Sequence, residues 1–551
     1  MQVKRIWASS HPFYEGGNIM GRVVANEDFL RALFLYDPYD QYHFYLENQS
    51  QIDSLKQRLE AEFPGLDITF GLKRDLPWVL GTTRFEVFHL SDWVTGYVPL
   101  AMLRNRFAGH IFPITGPIHS ISYARYHVEF LKHLWPGCTG RDAIIVTSKA
   151  GREVVEKSFE ELRCNYRLPE NFAQPALKHI PLGVAAPPSE HEVGRLRAEG
   201  RKALELAETE VVLLYLGRIS HGSKKDMLPL LRTLKRVGES GTDLAGVRLV
   251  LAGWVDDDDC AVARLKGFAG ALGIKLTVVT RPDNEERSRL YASADIFVSL
   301  VDNLQETFGI TLLEAGAFGL PVVASDFDGY RDLVVHGETG YLVPSFGPRQ
   351  TDICDTLAHF WPDAPFHLLV AQETAVSLPK AAKYIGRLIN DAGLRKKMGD
   401  SARRRVESSF TWDKIIPQYV AVWKELARAE LPDGLRGKTH PARLSYSNIF
   451  SAHFSSLLDA KWRVVWTKSG EALYRGKEKA VIYEGVEGLL PVDLLEKVMF
   501  WARSPTSVAE LSGKLVSEGL EAESADYLLL WALKHDFLEL AEEPPPPEGE
   551  F

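Results

Sequence analysis

Short apolar runs alternate with helix-period stretches twice over along this chain, and no other feature limits its fold as much. Arg5–Ser9, Phe85–Leu90, His110–Ile114, Asp142–Ser148 and His179–Val184 read as strands of a first series, with Val24–Leu35 and Lys149–Phe159 as helices among them. Val211–Leu216, Arg248–Ala252, Leu276–Thr280, Ile296–Leu300 and Pro321–Ser325 form a second series. Apolar strands separated by helices belong to parallel sheets covered on both faces. Two such series predict an α/β chain of two Rossmann-like, doubly wound domains facing a cleft. The expected boundaries are 1–190 and 191–430, joined at the Pro-rich Ala185–Ser189. A last amphipathic, aromatic-rich helix over about 410–428 is expected to pack back toward the first domain.

Beyond a Pro-, Gly- and Arg-rich linker, Leu431–Ala442, the pattern changes. Strand-like Trp462–Thr467 and Ala480–Tyr483 precede helical Ser507–Glu518 and Ala522–Lys534, then apolar Phe537–Leu540. The segment 445–540 therefore reads as a small α+β accessory domain of winged-helix-like form. Glu518, Glu521 and Glu523 make it acidic, which favours binding or packing against a protein over binding DNA. The four prolines within 541–551 predict a disordered tail.

Composition narrows the partners. A formal net charge of -9 supplies no basic footprint for nucleic acid, so none is expected. The four cysteines, Cys138, Cys164, Cys260 and Cys354, are too scattered for a zinc site or disulfide framework and fit a reducing compartment. The opening apolar run is too short for a signal peptide. No stretch approaches the roughly 18 apolar residues of a membrane span. The expectation is a cytoplasmic protein, with any membrane contact peripheral to the inner face.

Chemistry concentrates between Asp302 and Glu314, just after a predicted strand. Gly309 is expected to open a helix whose first N–H groups lack partners. A diphosphate suits such an end, because it supplies acceptors and its charge is stabilised by the helix dipole. Glu306 lies in the loop, and Glu314, about one and a half turns into the helix, is placed to accept two ribose hydroxyls. Spacing alone leaves the alternative of a helix-start acid and a solvated acid.

The stretch ETFGITLLE, followed by AGAFGLPVVAS and HGETGYLVP (His336–Pro344), resembles the retaining glycosyltransferases of the GT-B fold, family four, group 1. Similarity extends to YLGRIS (Tyr215–Ser220), LVLAGW (Leu249–Trp254) and YASADIFVS (Tyr291–Ser299), and in the first half to DAIIVTSKAGREVVEK and HIPLGV. It runs from about Lys4 to Ala429 and is stronger after Glu210. The resemblance implies a hexosyltransferase-type enzyme that moves a glycosyl unit from a UDP-, GDP- or ADP-linked sugar with retention of configuration. It implies no cofactor and no metal. The acceptor, whether saccharide, lipid or protein, stays open. Other GT-B activities (a phosphorylase or a sugar-phosphate synthase) and a non-catalytic nucleotide-sugar-binding scaffold are the alternatives.

By the same resemblance Glu306 lies beside the donor sugar and Glu314 binds the nucleotide ribose, with Phe308, Gly309 and Ile310 around the donor. Arg218 and Lys224 match the family's basic pair, which stabilises charge on the departing diphosphate. Lys225 is adjacent and is an alternative partner. Gly16 and Gly17 sit where the family's glycine loop approaches the donor phosphate. His119 aligns with a histidine near the reacting sugar, although a Gly-Pro insertion departs from the usual motif and leaves His89, His110 and His127 as competitors. Asp256–Asp259 contains a D-x-D pattern that reads here as a solvated loop. Asp326–Asp332 (DFDGYRD) reads equally as a ligand-facing segment or a turn. The insertion Phe346–Pro379 is longer than the family's usual connection.

Overall fold

The computed structural model describes residues 4–14, 21–219, 225–255 and 259–542. Gly16, Gly17, Lys224 and Asp256–Asp258 lie outside them. The chain divides into two compact units, Met1–Pro441 and Ala442–Phe551.

The first unit contains two sheets. β1 (Ile6–Ser9), β2 (Gln41–Leu46), β3 (Ile68–Leu72), β4 (Val87–His89), β5 (Ile114–Pro117), β6 (Asp142–Val146) and β7 (Ala176–His179) pair in the order β3-β2-β1-β4-β5-β6-β7, all parallel. β8 (Val211–Leu216), β9 (Val247–Gly253), β10 (Lys275–Thr280), β11 (Ile296–Ser299), β12 (Val322–Asp326), β13 (Gly340–Phe346) and β14 (Ala375–Val376) repeat the scheme as β10-β9-β8-β11-β12-β13-β14. Only the β13–β14 pairing is antiparallel among these described strands. The α/β, doubly wound class predicted from the alternation is the class observed. In each sheet the winding direction reverses once, between β1 and β4 and between β8 and β11, and ligands bind open α/β sheets at such a reversal.

Individual strands differ from the sequence reading where local signals compete. β5 begins at Ile114 rather than ending there and runs through Gly116 and Pro117. A Cβ at Gly116 would press on Leu90 and the Trp93 backbone, so the apparent turn residue is there for close packing. β7 stops at His179, and Ile180–Val184 continues as irregular chain that bridges Thr411. β2 and β3, read as no strand, lie at one edge of their sheet. β2 is rich in aromatic residues that pack inward, among them Tyr42 and Phe44.

Buried polar contacts fix the first sheet. Arg104, from the helix Trp93–Phe107, lies fully buried against Asp142 at the start of β6, with N–O distances of 2.5 and 3.0 Å. Tyr97 donates to the same carboxylate, as do the Thr139 amide and hydroxyl. Burying two charges is tolerable because the guanidinium is paired and both carboxylate oxygens are hydrogen-bonded. The helix Trp412–Leu426 lies on the first half: Tyr419 and Trp423 pack edge-on against His89, and Trp423 Nε1 donates to Thr115 Oγ1 at 2.8 Å.

The second unit holds β15 (Arg463–Trp466), β16 (Thr506–Ser507) and β17 (Leu538–Leu540) in one antiparallel sheet, with β15 central. The helices Val492–Trp501, Val508–Ser517 and Ala522–Lys534 enclose its core. Ala480–Tyr483, expected as a strand, is irregular, and its Val481 and Tyr483 are exposed.

Candidate active site

The chain leaves β8 through Gly217 and Arg218. Gly217 has φ 154 and Gly253, at the end of β9, has φ 144. A Cβ on Gly253 would overlap the Gly217 carbonyl, so the two loops pass backbone to backbone. Arg218 is half-buried, and its carbonyl accepts from Tyr215 Oη at 2.8 Å. Lys225 then lies only 4% exposed. Its Nζ donates to Ser299 Oγ at 2.5 Å and stands 4.4 Å from the centre of the Tyr215 ring. Ser299 also shares a hydrogen bond of 2.7 Å with the Tyr330 hydroxyl. The alternative basic partner, Lys225, is thus seated at the reversal between β8 and β11, on Ser299 and the Tyr215 ring, where its charge also acts on Asp302.

β11 delivers the loop containing Glu306. Asn303 shapes it: its Oδ1 accepts from the Gln305 amide at 3.0 Å and its carbonyl from the Glu306 amide at 3.1 Å. Phe308 turns into the hydrophobic core, so only its backbone faces the loop side. Gly309 adopts φ 95, and a Cβ there would overlap the Tyr330 ring. Left-handed backbone and lack of space both require glycine. The helix Ile310–Ala317 follows with no side-chain cap on its first N–H groups, and Ile310 is half-buried at its start.

Glu314 is held in place. Arg287 Nη2 donates to its two oxygens at 2.8 and 3.0 Å, and Tyr291 Oη donates at 2.6 Å. Both donors sit on the helix Asn284–Ser293. Asp28, from the helix Gly21–Tyr36 of the first half, faces this group. Burial, then the charge of Glu314, pushes its carboxyl up to about 6.

Two further carboxyls flank Glu306. Asp302 accepts from the Asp226 amide through Oδ2 at 3.2 Å, while its buried Oδ1 has no hydrogen-bond partner among the described residues. Burial raises it to about 6. Asp328, with φ 44, is pushed up to about 7 by burial and then by the Glu306 charge, and its Oδ1 also has no partner. Within Asp326–Asp332 the chain turns at Asp328 and Gly329, and the Asp328 carboxyl lies within reach of the Glu306 charge. Asp332 leaves the site and accepts from the Lys149 amide at 2.7 Å.

From the first half, His119 Nε2–H donates to the Ser91 carbonyl at 2.8 Å, at the end of β5. The next residue, Ser120, donates to the Gln305 carbonyl at 2.8 Å, which puts His119 beside the Glu306 loop. Its competitor His89 is a core residue, enclosed by Trp7, Phe29, Tyr419 and Trp423 and pushed down to about 3 by burial. His110 and His127 are half-buried away from these contacts. His11, at the end of β1, went unread: its Nδ1 accepts from the Ser91 amide at 3.1 Å, and burial lowers it to about 4. Its position at a strand end beside the winding reversal was the available signal. Asp28 and Arg287 had none, because only tertiary folding brings them to the acids.

Arg218 and Lys225 thus follow the end of β8, Glu306, Gly309 and Glu314 follow the end of β11, and His119 follows the end of β5 beside the Glu306 loop. Among the described residues no group of three or more His, Cys, Asp or Glu side chains is placed to hold a metal ion. None of their helices is long and apolar enough to cross a membrane.

Residues 197–360 match the model of the glycosyl transferases group 1. An uncharacterized glycosyltransferase of Methanocaldococcus jannaschii is 25% identical over 366 residues, 63% of this chain and 77% of the relative. Phosphatidyl-myo-inositol mannosyltransferase of Mycobacterium tuberculosis is 36% identical over 132 residues, which span 24% of this chain and 32% of that enzyme. In three dimensions the chain is similar to Anabaena HepE, solved with UDP and glucose (TM-score 0.50, 15% identity, 77% of this chain and all of that one). A glycosyltransferase from Rickettsia africae gives a TM-score of 0.51 at 13% identity, over 78% of this chain and all of that one. The group 1 match lies over the second sheet, and the likeness in fold extends over both, so the chain carries a glycosyl transferases group 1 region within a fold of the GT-B kind.

Proposed function

We propose that the chain transfers a glycosyl unit from a nucleoside diphosphate sugar to an acceptor with retention of anomeric configuration. The observation that carries this reading is the convergence of an uncapped helix start at Gly309, a buried cation at Lys225 and a pre-oriented acid at Glu314 on one sheet reversal. Each answers a different part of one ligand. The helix N–H groups and dipole suit a diphosphate. Arg218 and Lys225, with Lys224 as the alternative partner, stabilise the charge that grows on the leaving phosphate oxygen. Glu314 Oε1 accepts only from Arg287, which leaves it a site for a ribose hydroxyl.

Glu306 then lies beside the transferred sugar. His119, whose Nε2–H donates to the Ser91 carbonyl, lies on the loop held to Gln305 and is assigned to the sugar hydroxyls. The acceptor enters from the first half, and apposition of the two sheet ends excludes water from the reacting centre. Transfer on a single face, with the departing phosphate taking the acceptor's proton, needs no protein nucleophile.

Thermal shift against UDP-, GDP- and ADP-linked sugars tests the donor first, since a specific ligand raises Tm by mass action. HepE was solved with UDP and glucose, which makes UDP-glucose the first compound to try. With the donor that stabilises the protein, Lys225→Ala and Glu306→Ala should each lower transfer by about 10²- to 10³-fold. Wild-type turnover in both variants refutes the assignment.

A further inference from the structure

The chain leaves β13 at Phe346 and returns beside it at β14, where Ser345 pairs with Val376 and Phe346 with Ala375. The intervening excursion is thus pinned at its base by strand pairing. Its second helix, Asp363–Gln372, buries a single polar side chain, His367, which is 1% exposed. A histidine this deep normally answers to hydrogen bonds on both ring nitrogens. Here the two partners come from opposite sides of the cleft. Gln305 Nε2, on the loop next to Glu306, donates to His367 Nδ1 at 2.8 Å. The ring proton is thereby left on Nε2, which donates to Ser122 Oγ, three residues after His119, at 2.8 Å. The Tyr123 ring stands edge-on to the imidazole with centroids 5.1 Å apart. Ser120 donates directly to the Gln305 carbonyl, so Gln305 is held at backbone and side chain alike.

We propose that His367 is a positioning residue for glycosyl transfer: by bonding Gln305 and Ser122 together, it holds the Glu306 loop in register with the loop that carries His119. The role rests on the functional reading above. Burial lowers the basicity of His367, which favours the form that accepts at Nδ1 while donating at Nε2. The ion pair between Arg125 and Asp363, nearby but exposed, adds little to this coupling. The excursion is therefore part of the machinery that aligns the cleft, and not an ornament on the second half.

Hydrogen exchange on the full chain tests the coupling without any substrate. His367→Ala should speed exchange in peptides covering 302–309 and 118–124 together, by on the order of 3- to 10-fold for each lost hydrogen bond. His367→Gln, which keeps one acceptor and one donor, should restore most of the protection. Ser122→Ala, at a half-buried position, should loosen 118–124 alone and serves if the His367 variants fail to fold. Faster exchange confined to 363–372, or none in either loop for Ser122→Ala, overturns the proposal. In transfer assays with the stabilising donor, His367→Ala should lower kcat about 10-fold while leaving the donor KM near its original value. Failure of every nucleotide sugar to bind would refute the glycosyl-transfer reading, whereas unchanged loop exchange would refute the His367 role.

Discussion

At Asp328 one side chain sets a pH dependence for the whole fold. Its carboxyl ionises near its ordinary value of about 4 in the unfolded chain but near about 7 in the native protein, through burial and the Glu306 charge. Between these values the native chain keeps a proton that the unfolded chain has released. Stability from this group is therefore highest at acid pH, falls as pH rises from about 4 to about 7, and levels off above. Asp28 and Asp302, each raised to about 6, act in the same direction. Asp328→Asn should flatten the slope and stabilise the protein at pH 8 by about 2 kcal/mol. Urea unfolding at pH 5 and pH 8 measures this, and an undiminished slope in the variant would contradict it. Legibility at this scale was uneven. Glu306 and Glu314 stood out because a strand and a glycine fix their surroundings locally. Asp328 was legible only as part of a segment read equally as a turn, because the charge that acts on it comes from Glu306, on another loop.

For the helix that begins at Ile310, the decisive residue lies just outside it. Gly309 combines left-handed φ with a contact that admits no Cβ against Tyr330. Gly309→Ala should displace the Tyr330 ring and with it Ser299 and Lys225, costing about 2–4 kcal/mol. Chemical denaturation gives the first effect, and loss of donor binding in calorimetry the second. A variant with unchanged stability would show that the backbone tolerates what the geometry forbids. The helix start itself was readable from the sequence. Its consequence for Lys225 was not, because the link runs through two hydroxyls on other elements. Strand edges were likewise misplaced where one residue serves two roles. Gly116 and Pro117 look like a turn, yet they complete β5 because the helix at Trp93 comes too close for a side chain.

Across the molecule, the last helix of the first unit joins its two halves. Val184 donates to the Phe410 carbonyl as the chain crosses, and Trp412–Leu426 then covers His89 and Thr115. A chain ending at Pro441 keeps both sheets, this helix and the Leu435 and His440 contacts at its end. It should melt cooperatively and retain donor binding in calorimetry. Ending the chain before Trp412 instead exposes Phe29, Tyr39 and His89, and should leave an aggregating product. A non-cooperative melt of the longer form would show that the first unit lacks an independent core.

The sequence by itself determined the α/β class, the two successive windings and the loop from Asp302 to Gly309. These follow from local period, apolar runs and glycine, which act over a few residues at a time. Tertiary structure alone decided which groups share that loop's surroundings: Asp28 opposite Glu314, Asp328 beside Glu306, Lys225 on Ser299, and His367 between Gln305 and Ser122. The reason is physical. Hydrogen bonds and buried charges depend on distances in space, and a chain wound into two sheets brings together residues more than two hundred positions apart.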